Sequence, residues 1–261
     1  PILCTASGIS MKVLGETLKG KLRELLLVRP VWGDVQTRHR LVAEYAIELF
    51  DDRYEYLVSL VQALRPYVNR TTIKQRLTEA RLVGRLLDAE SVADVVGKRA
   101  PAFYDAVADG WQWNSRYWEQ RALAVVHLDP VSALRFAEQG VGIERHPMPL
   151  TTLARVQFAV ADSRCYASFD DRRLVVSAIG NANTAIDLSR RSSRREAHAH
   201  DVAIRGASRF LEHAHGTISL RQWDGWQLMD GIVADLPRVK AKASAEKLRQ
   251  MWFTARSRFG I

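Results

Sequence analysis

The chain has 261 residues, 47% of them apolar and 26% charged, the balance of a globular protein with length for one large domain or two small ones. No run approaches the roughly 18 unbroken apolar residues of a membrane span and no signal-peptide pattern opens the chain, while Cys4 and Cys165 are too few and too far apart for a disulfide framework, which predicts a reducing cytosol. The formal charge of +9, from 38 basic and 29 acidic residues, admits nucleic acid or an acidic partner, but it is diffuse and lacks the aromatic interleaving of a single-strand platform.

Taken in chain order, Ser10 to Leu18 and Lys21 to Leu27 read as two short helices broken near Gly20. A β-hairpin follows, from Leu25 to Trp32, a turn at Gly33-Asp34, and Val35 to Arg38. Leu41, Val42, Tyr45, Ala46 and Leu49 then recur at helical spacing. Helix, helix, hairpin and long helix make the outline of a winged-helix segment over residues 1–50. The chain opens on Pro1, in mid-element, which predicts that it is a piece of a longer protein.

The junction Thr37-Arg38-His39-Arg40, running into Leu41-Val42-Ala43-Glu44, resembles the winged-helix end of STAND-class signalling NTPases, relatives of the NACHT and plant-resistance ATPases. In that family a histidine at the start of the helix after a hairpin reaches the nucleotide's β-phosphate and helps to hold the closed, ADP-bound state. The resemblance places that nucleotide-sensing role on His39, with Arg38 beside it. Arg40 departs from the family's Asp or Pro. ATP or ADP would belong to the NTPase domain of the longer protein, not to this stretch.

Past residue 44 nearly everything reads helical. Leu57, Leu60, Val61 and Leu64 form an apolar stripe ended by Pro66; Ile73, Leu77, Ala80 and Val83 form another, with Thr71 or Thr72 as N-cap. Pro101 suits a first helical turn before Phe103, Ala106 and Val107. Tyr117 to Leu128 is one helix, with Trp118, Ala122 and Val125 or Val126 facing inward. Asp129-Pro130 caps the next, Val131 to Ile143, whose small residues Ala133, Ala137 and Gly140 share a face. His146-Pro147-Met148-Pro149 closes that helix, and a third opens at Thr151-Thr152. Ala197 to His213 and Gln222 to Leu236 form a later pair, and Arg238 to Phe259 a last basic helix.

An aromatic on one helix, small residues on its partner and a closing proline resemble a tetratricopeptide (TPR) repeat, although Gly140 to Pro147 is longer than the consensus ending. About four or five such degenerate pairs fit residues 51–261, an array that buries its core by stacking neighbours. TPR-like arrays follow the winged helix in many STAND proteins, where they sense or oligomerise. The fold class expected is therefore all-α: a TPR-like helical-repeat array preceded by a small winged-helix segment with one hairpin.

Two motifs suggest chemistry that their context denies. Gly15 to Lys21 satisfies the phosphate-loop spacing, but its interior is Glu16, Thr17, Leu18 and Lys19, and Leu22 stands where magnesium needs Ser or Thr. His198 with His200 and His213 with His215 are spaced two apart, which on a helix turns them about 200° away from each other, so neither pair chelates from one face. Ser7, Ser10 and Ser132 lack a nucleophile-elbow setting, and Cys165 has no local partner to lower its pKa. Asp51-Asp52 and Asp170-Asp171 read as turns or caps. No catalytic or metal-ligating residue is assigned, and no protein-binding residue stands out.

The resemblance implies a non-catalytic, cytoplasmic sensor of a STAND-type NTPase, with no cofactor of its own. Its expected partners are a protein trigger, phage-derived if the longer protein is a bacterial antiviral system, the NTPase domain, and further copies on oligomerisation. The alternative is a winged-helix transcriptional regulator with a TPR-like regulatory domain. Nucleic acid ranks behind protein, because Lys21, Arg23 and Glu24 offer little to reach base edges. An enzyme complete in this chain ranks third.

Overall fold

A computed structural model describes residues 28–31, 34–37, 52–64, 86–191, 197–214 and 223–258. Strands β1 (Val28–Val31) and β2 (Asp34–Thr37) pair antiparallel, with Val28 opposite Thr37 and Val31 opposite Asp34. Asp34 is thus a paired strand residue, where the sequence suggested a turn. The helices expected on either side, the junction with Arg38 and His39, the phosphate-loop look-alike, the stripe from Ile73 to Val83 and the expected boundary after residue 50 all lie outside the described residues. Apart from this strand pair, every regular element among the described residues is helical. None of these helices is long and apolar enough to cross a membrane.

The chain divides into two units, residues 1–113 and 114–261. In the first, α1 (Arg53–Leu64), α2 (Ala89–Val96) and α3 (Ala100–Val107) pack on one another. Asp52 caps α1 by accepting the Tyr54 and Glu55 amides at 2.9 and 3.2 Å, and Leu57, Leu60 and Val61 of the expected stripe are buried. Pro101 sits in the first turn of α3, where its missing N–H has no intrahelical acceptor to lose. Tyr104 fills the interior and donates its hydroxyl to the Leu87 carbonyl at 2.6 Å.

The second unit contains α4 (Ser115–Val125), α5 (Pro130–Ile143), α6 (Pro147–Ser163), α7 (Phe169–Arg191), α8 (His198–Ala214), α9 (Gly225–Asp235) and α10 (Lys242–Ser257). Asp129 accepts the Ser132 amide at 3.0 Å and Pro130 opens α5. Ala133, Ala137 and Gly140 are buried, and a Cβ at 140 would come within 3.4 Å of the Ser115 carbonyl on α4. A Cβ there would just reach van der Waals contact with α4, so this small face of α5 lies where the two helices are close.

His146-Pro147-Met148-Pro149 does not close α5. It opens α6: His146 is the N-cap, its Nδ1 accepting the Met148 amide at 3.5 Å, and both prolines lie in the first turn. Thr151 and Thr152 are consequently buried inside a helix rather than at its start. The physical reason is that proline is excluded only where an N–H must bond back, which the first turn does not require.

Helix α6 is apolar on two sides. Leu150, Ala154, Phe158 and Ala161 join the core shared with α7, α8, α9 and α10, while Leu153, Val156 and Val160 join the core shared with α4 and α5. Its buried Gln157 is satisfied across the α7 interface, donating to Ser177 Oγ at 3.1 Å and accepting from Asn181 Nδ2 at 2.9 Å. Each helix from α4 to α8 packs on the next in sequence; α4 also packs on α6, α6 on α8, α7 on α9 and α8 on α10.

Candidate functional site

Two helical stripes meet at a concavity of the second unit. On α6 and the turn after it, Arg155, Phe158, Ala159, Asp162, Ser163 and Tyr166 recur at three- and four-residue steps. On α8, His198, Asp201, Val202, Arg205, Gly206 and Arg209 do the same. Such spacing puts each set on one helix face. Gly206 lies against the Phe158 ring, which a Cβ at 206 would overlap. Arg209 reaches Asp162 at 2.9 Å, so α6 and α8 run in the same direction, side by side. Between them lies a groove of about 580 Å³, closed at one side by Val126, His127 and Pro130 from the α4–α5 turn.

The groove has an apolar floor and a basic rim. Phe158 is buried in the floor, and Arg155, Arg205, Arg209, His127 and His198 are exposed around it. Arg205 Nε donates to Asp201 Oδ1 at 2.7 Å one turn earlier. Arg155 has no acidic partner among the described residues. At one end the backbone leaves α6 through a pair of bonds, from the Cys165 amide to the Asp162 carbonyl at 2.9 Å and from the Tyr166 amide to the Ala161 carbonyl at 3.0 Å. This is a Schellman ending in which Cys165 and Tyr166 both take φ of 53°, a conformation that usually selects glycine. Tyr166 then turns inward onto Phe210 at 5.3 Å. Burial first, and then Asp162, push its phenol above the ordinary range.

Two further polar clusters are buried. Glu119 on α4 is 2% exposed; it accepts from Thr152 Oγ1 of α6 at 3.2 Å and lies 3.8 Å from Arg116. Burial lifts its carboxyl to about 7 despite the pull of Arg116 and Thr152. Asp235 at the end of α9 is approached by Arg190 at 2.9 Å, His200 Nε2 at 3.2 Å and Arg238 at 3.4 Å, which ties α7, α8 and α9 together. The acids at the centre of both clusters, Glu119 and Asp235, are buried between packed helices, where they specify contacts.

The two members of the His198–His200 pair are separated as their spacing requires: His198 is on the groove and His200 is buried at Asp235. His213 does not join His198. It packs on Tyr166 with ring centroids 5.6 Å apart, and His215 lies outside the described residues. The sequence carries a signal for two of the rim arginines, the row Asp201, Arg205, Arg209 at four-residue steps on α8, but none that marks Arg155. Compared with known protein families, curated proteins and solved structures, the chain matches none.

Proposed function

We propose that this chain is the winged-helix and helical-repeat part of a STAND-type signalling NTPase, a non-catalytic cytosolic sensor that binds a protein trigger and thereby governs nucleotide-dependent oligomerisation. The observation that supports the sensing role is the groove between α6 and α8, an apolar floor with a basic rim on neighbouring helices that run in parallel. In this reading the antiparallel pairs α4–α5 and α6–α7 act as TPR-like repeats, with α6 and the following helix α8 forming the binding face and the α4–α5 turn closing it. The paired strands at 28–37 would be the wing, and Arg38 and His39 would attend the β-phosphate of ADP held by an NTPase domain elsewhere in the longer protein.

The mechanism is a two-state switch. A trigger that binds the open form more tightly than the closed one shifts the population by its differential affinity and by no more. Two experiments test the reading. Tagged chain, incubated with nuclease-treated lysate of cells challenged with the trigger's source, is expected to retain a specific protein at high salt. Nucleic acid released at high salt, with no retained protein, would favour the transcriptional-regulator reading instead. In the longer protein, His39→Ala is expected to change basal activity; unchanged basal and triggered activity would end the nucleotide-sensing role.

A further inference from the structure

We infer that the groove between α6 and α8 takes a linear segment of the partner protein in which acidic side chains flank a large apolar one. The inference rests on the sensor reading above and adds the chemistry of what is sensed. Three observations carry it.

The first is the state of the arginines. Arg155 is exposed and has no acidic partner among the described residues, while Arg205 and Arg209 are each pinned by one aspartate, with 53% and 62% of their side chains in solvent. A guanidinium offers five donors, so one carboxylate leaves most of them for a ligand, and pinning lowers the entropy lost when the ligand arrives. The second is the apolar surface. Beyond the buried floor, Leu128 is 72% and Val131 53% exposed, on the same turn whose His127 and Pro130 line the groove. Large apolar side chains left in water beside a groove mark an interaction face. The third is the pair Asp162 and Asp201 within the rim. Paired with Arg209 and Arg205, they break the rim's positive charge into separate points, which match acidic side chains spaced by apolar residues better than a continuous run of phosphates. Charge complementarity therefore favours an acidic-apolar peptide over nucleic acid.

The test selects from a random peptide display library on the immobilised full chain, then measures the selected peptide by fluorescence anisotropy. Enrichment of Asp or Glu flanking Leu, Ile or Phe is expected. Replacing those acids by their amides, or introducing Arg155→Glu or Arg205→Glu, should weaken binding about tenfold or more, as removing complementary charge does. Leu128→Ser should weaken it as well, and Lys240→Glu, away from the groove, should not. Arg155 and Arg205 are exposed, and unchanged melting curves would show that their variants fold. The proposal is overturned by no enrichment, by enrichment of neutral or basic peptides, by unchanged affinity in both arginine variants, or by displacement with a single-stranded oligonucleotide. A whole protein captured from lysate equally well by Arg155→Glu would retain the sensor reading while ending this one.

Discussion

Glu119 is a carboxyl buried in an environment that opposes its charge. A carboxyl that titrates near 7 in the folded chain, against 4.5 ordinarily, binds its proton more tightly folded than unfolded. Stability therefore falls as pH rises from about 4.5 to 7 and levels off above, with a total effect of the order of 3 kcal/mol. Glu119→Gln keeps an acceptor for Thr152 and removes the charge, so it should abolish this slope and stabilise the chain at pH 8. Urea denaturation at pH 5 and pH 8 checks both expectations, and equal slopes in the two proteins would refute them. Cys165 offers a second test. Its left-handed φ costs about 1–2 kcal/mol for a residue with a Cβ, and glycine's greater freedom when unfolded takes back about 0.5–1. Cys165→Gly should thus stabilise by about 0.5–1 kcal/mol, with no packing lost because the side chain is exposed. Gly206→Ala acts in the opposite direction. Its Cβ would enter the Phe158 ring, and overpacking of that kind costs about 2 kcal/mol, read as a lower denaturation midpoint with an unchanged slope.

At the scale of elements, what the sequence announced were the features with local causes. Asp129-Pro130 caps α5 because a side-chain acceptor and a missing N–H both suit a helix start, and neither depends on the rest of the fold. Asp171 was legible as a cap for the same reason: it and Ser168 bond reciprocally, the Asp171 amide to Ser168 Oγ at 3.0 Å and the Ser168 amide to Asp171 Oδ2 at 3.0 Å. Asp171→Ala should therefore cost about 1–2 kcal/mol and Asp171→Asn, which keeps an acceptor, less. Equal losses in the two variants, measured by thermal melting, would mean that the Arg164 ion pair at 3.4 Å matters more than the cap. The prolines at 147 and 149 read as a helix end in the sequence and form a helix start in the structure, because proline suits both places and the burial of Thr151 and Thr152 inside α6 decides between them. The groove was illegible for a different reason. Its stripes are 50 or so residues apart, and what joins them is Phe158 lying on Gly206, a contact that no local pattern encodes.

For the whole molecule, the question is what must be present for the groove to exist. Among the described residues, both apolar cores that bracket α6 draw on residues between Ala122 and Ala255, and the ion pairs at Asp235, Asp162 and Asp171 close within the same stretch. None of these interactions calls on residues before Asn114. A chain covering 114–261 should consequently fold alone, giving a helical circular-dichroism spectrum and one sigmoidal urea transition, because stacked helical pairs of this number share continuous cores. It should also bind whatever peptide the full chain selects, with equal affinity. A coil-like spectrum would mean that residues 1–113 complete the core. A folded spectrum with binding lost would place part of the recognition surface before residue 114. If the short chain folds and binds, peptide recognition resides in residues 114–261, separable from the nucleotide sensing proposed for His39, and under the proposed function a trigger would act by changing how these helices meet the proposed NTPase domain, since the proposed peptide contacts end on α6, α8 and the turn beside them.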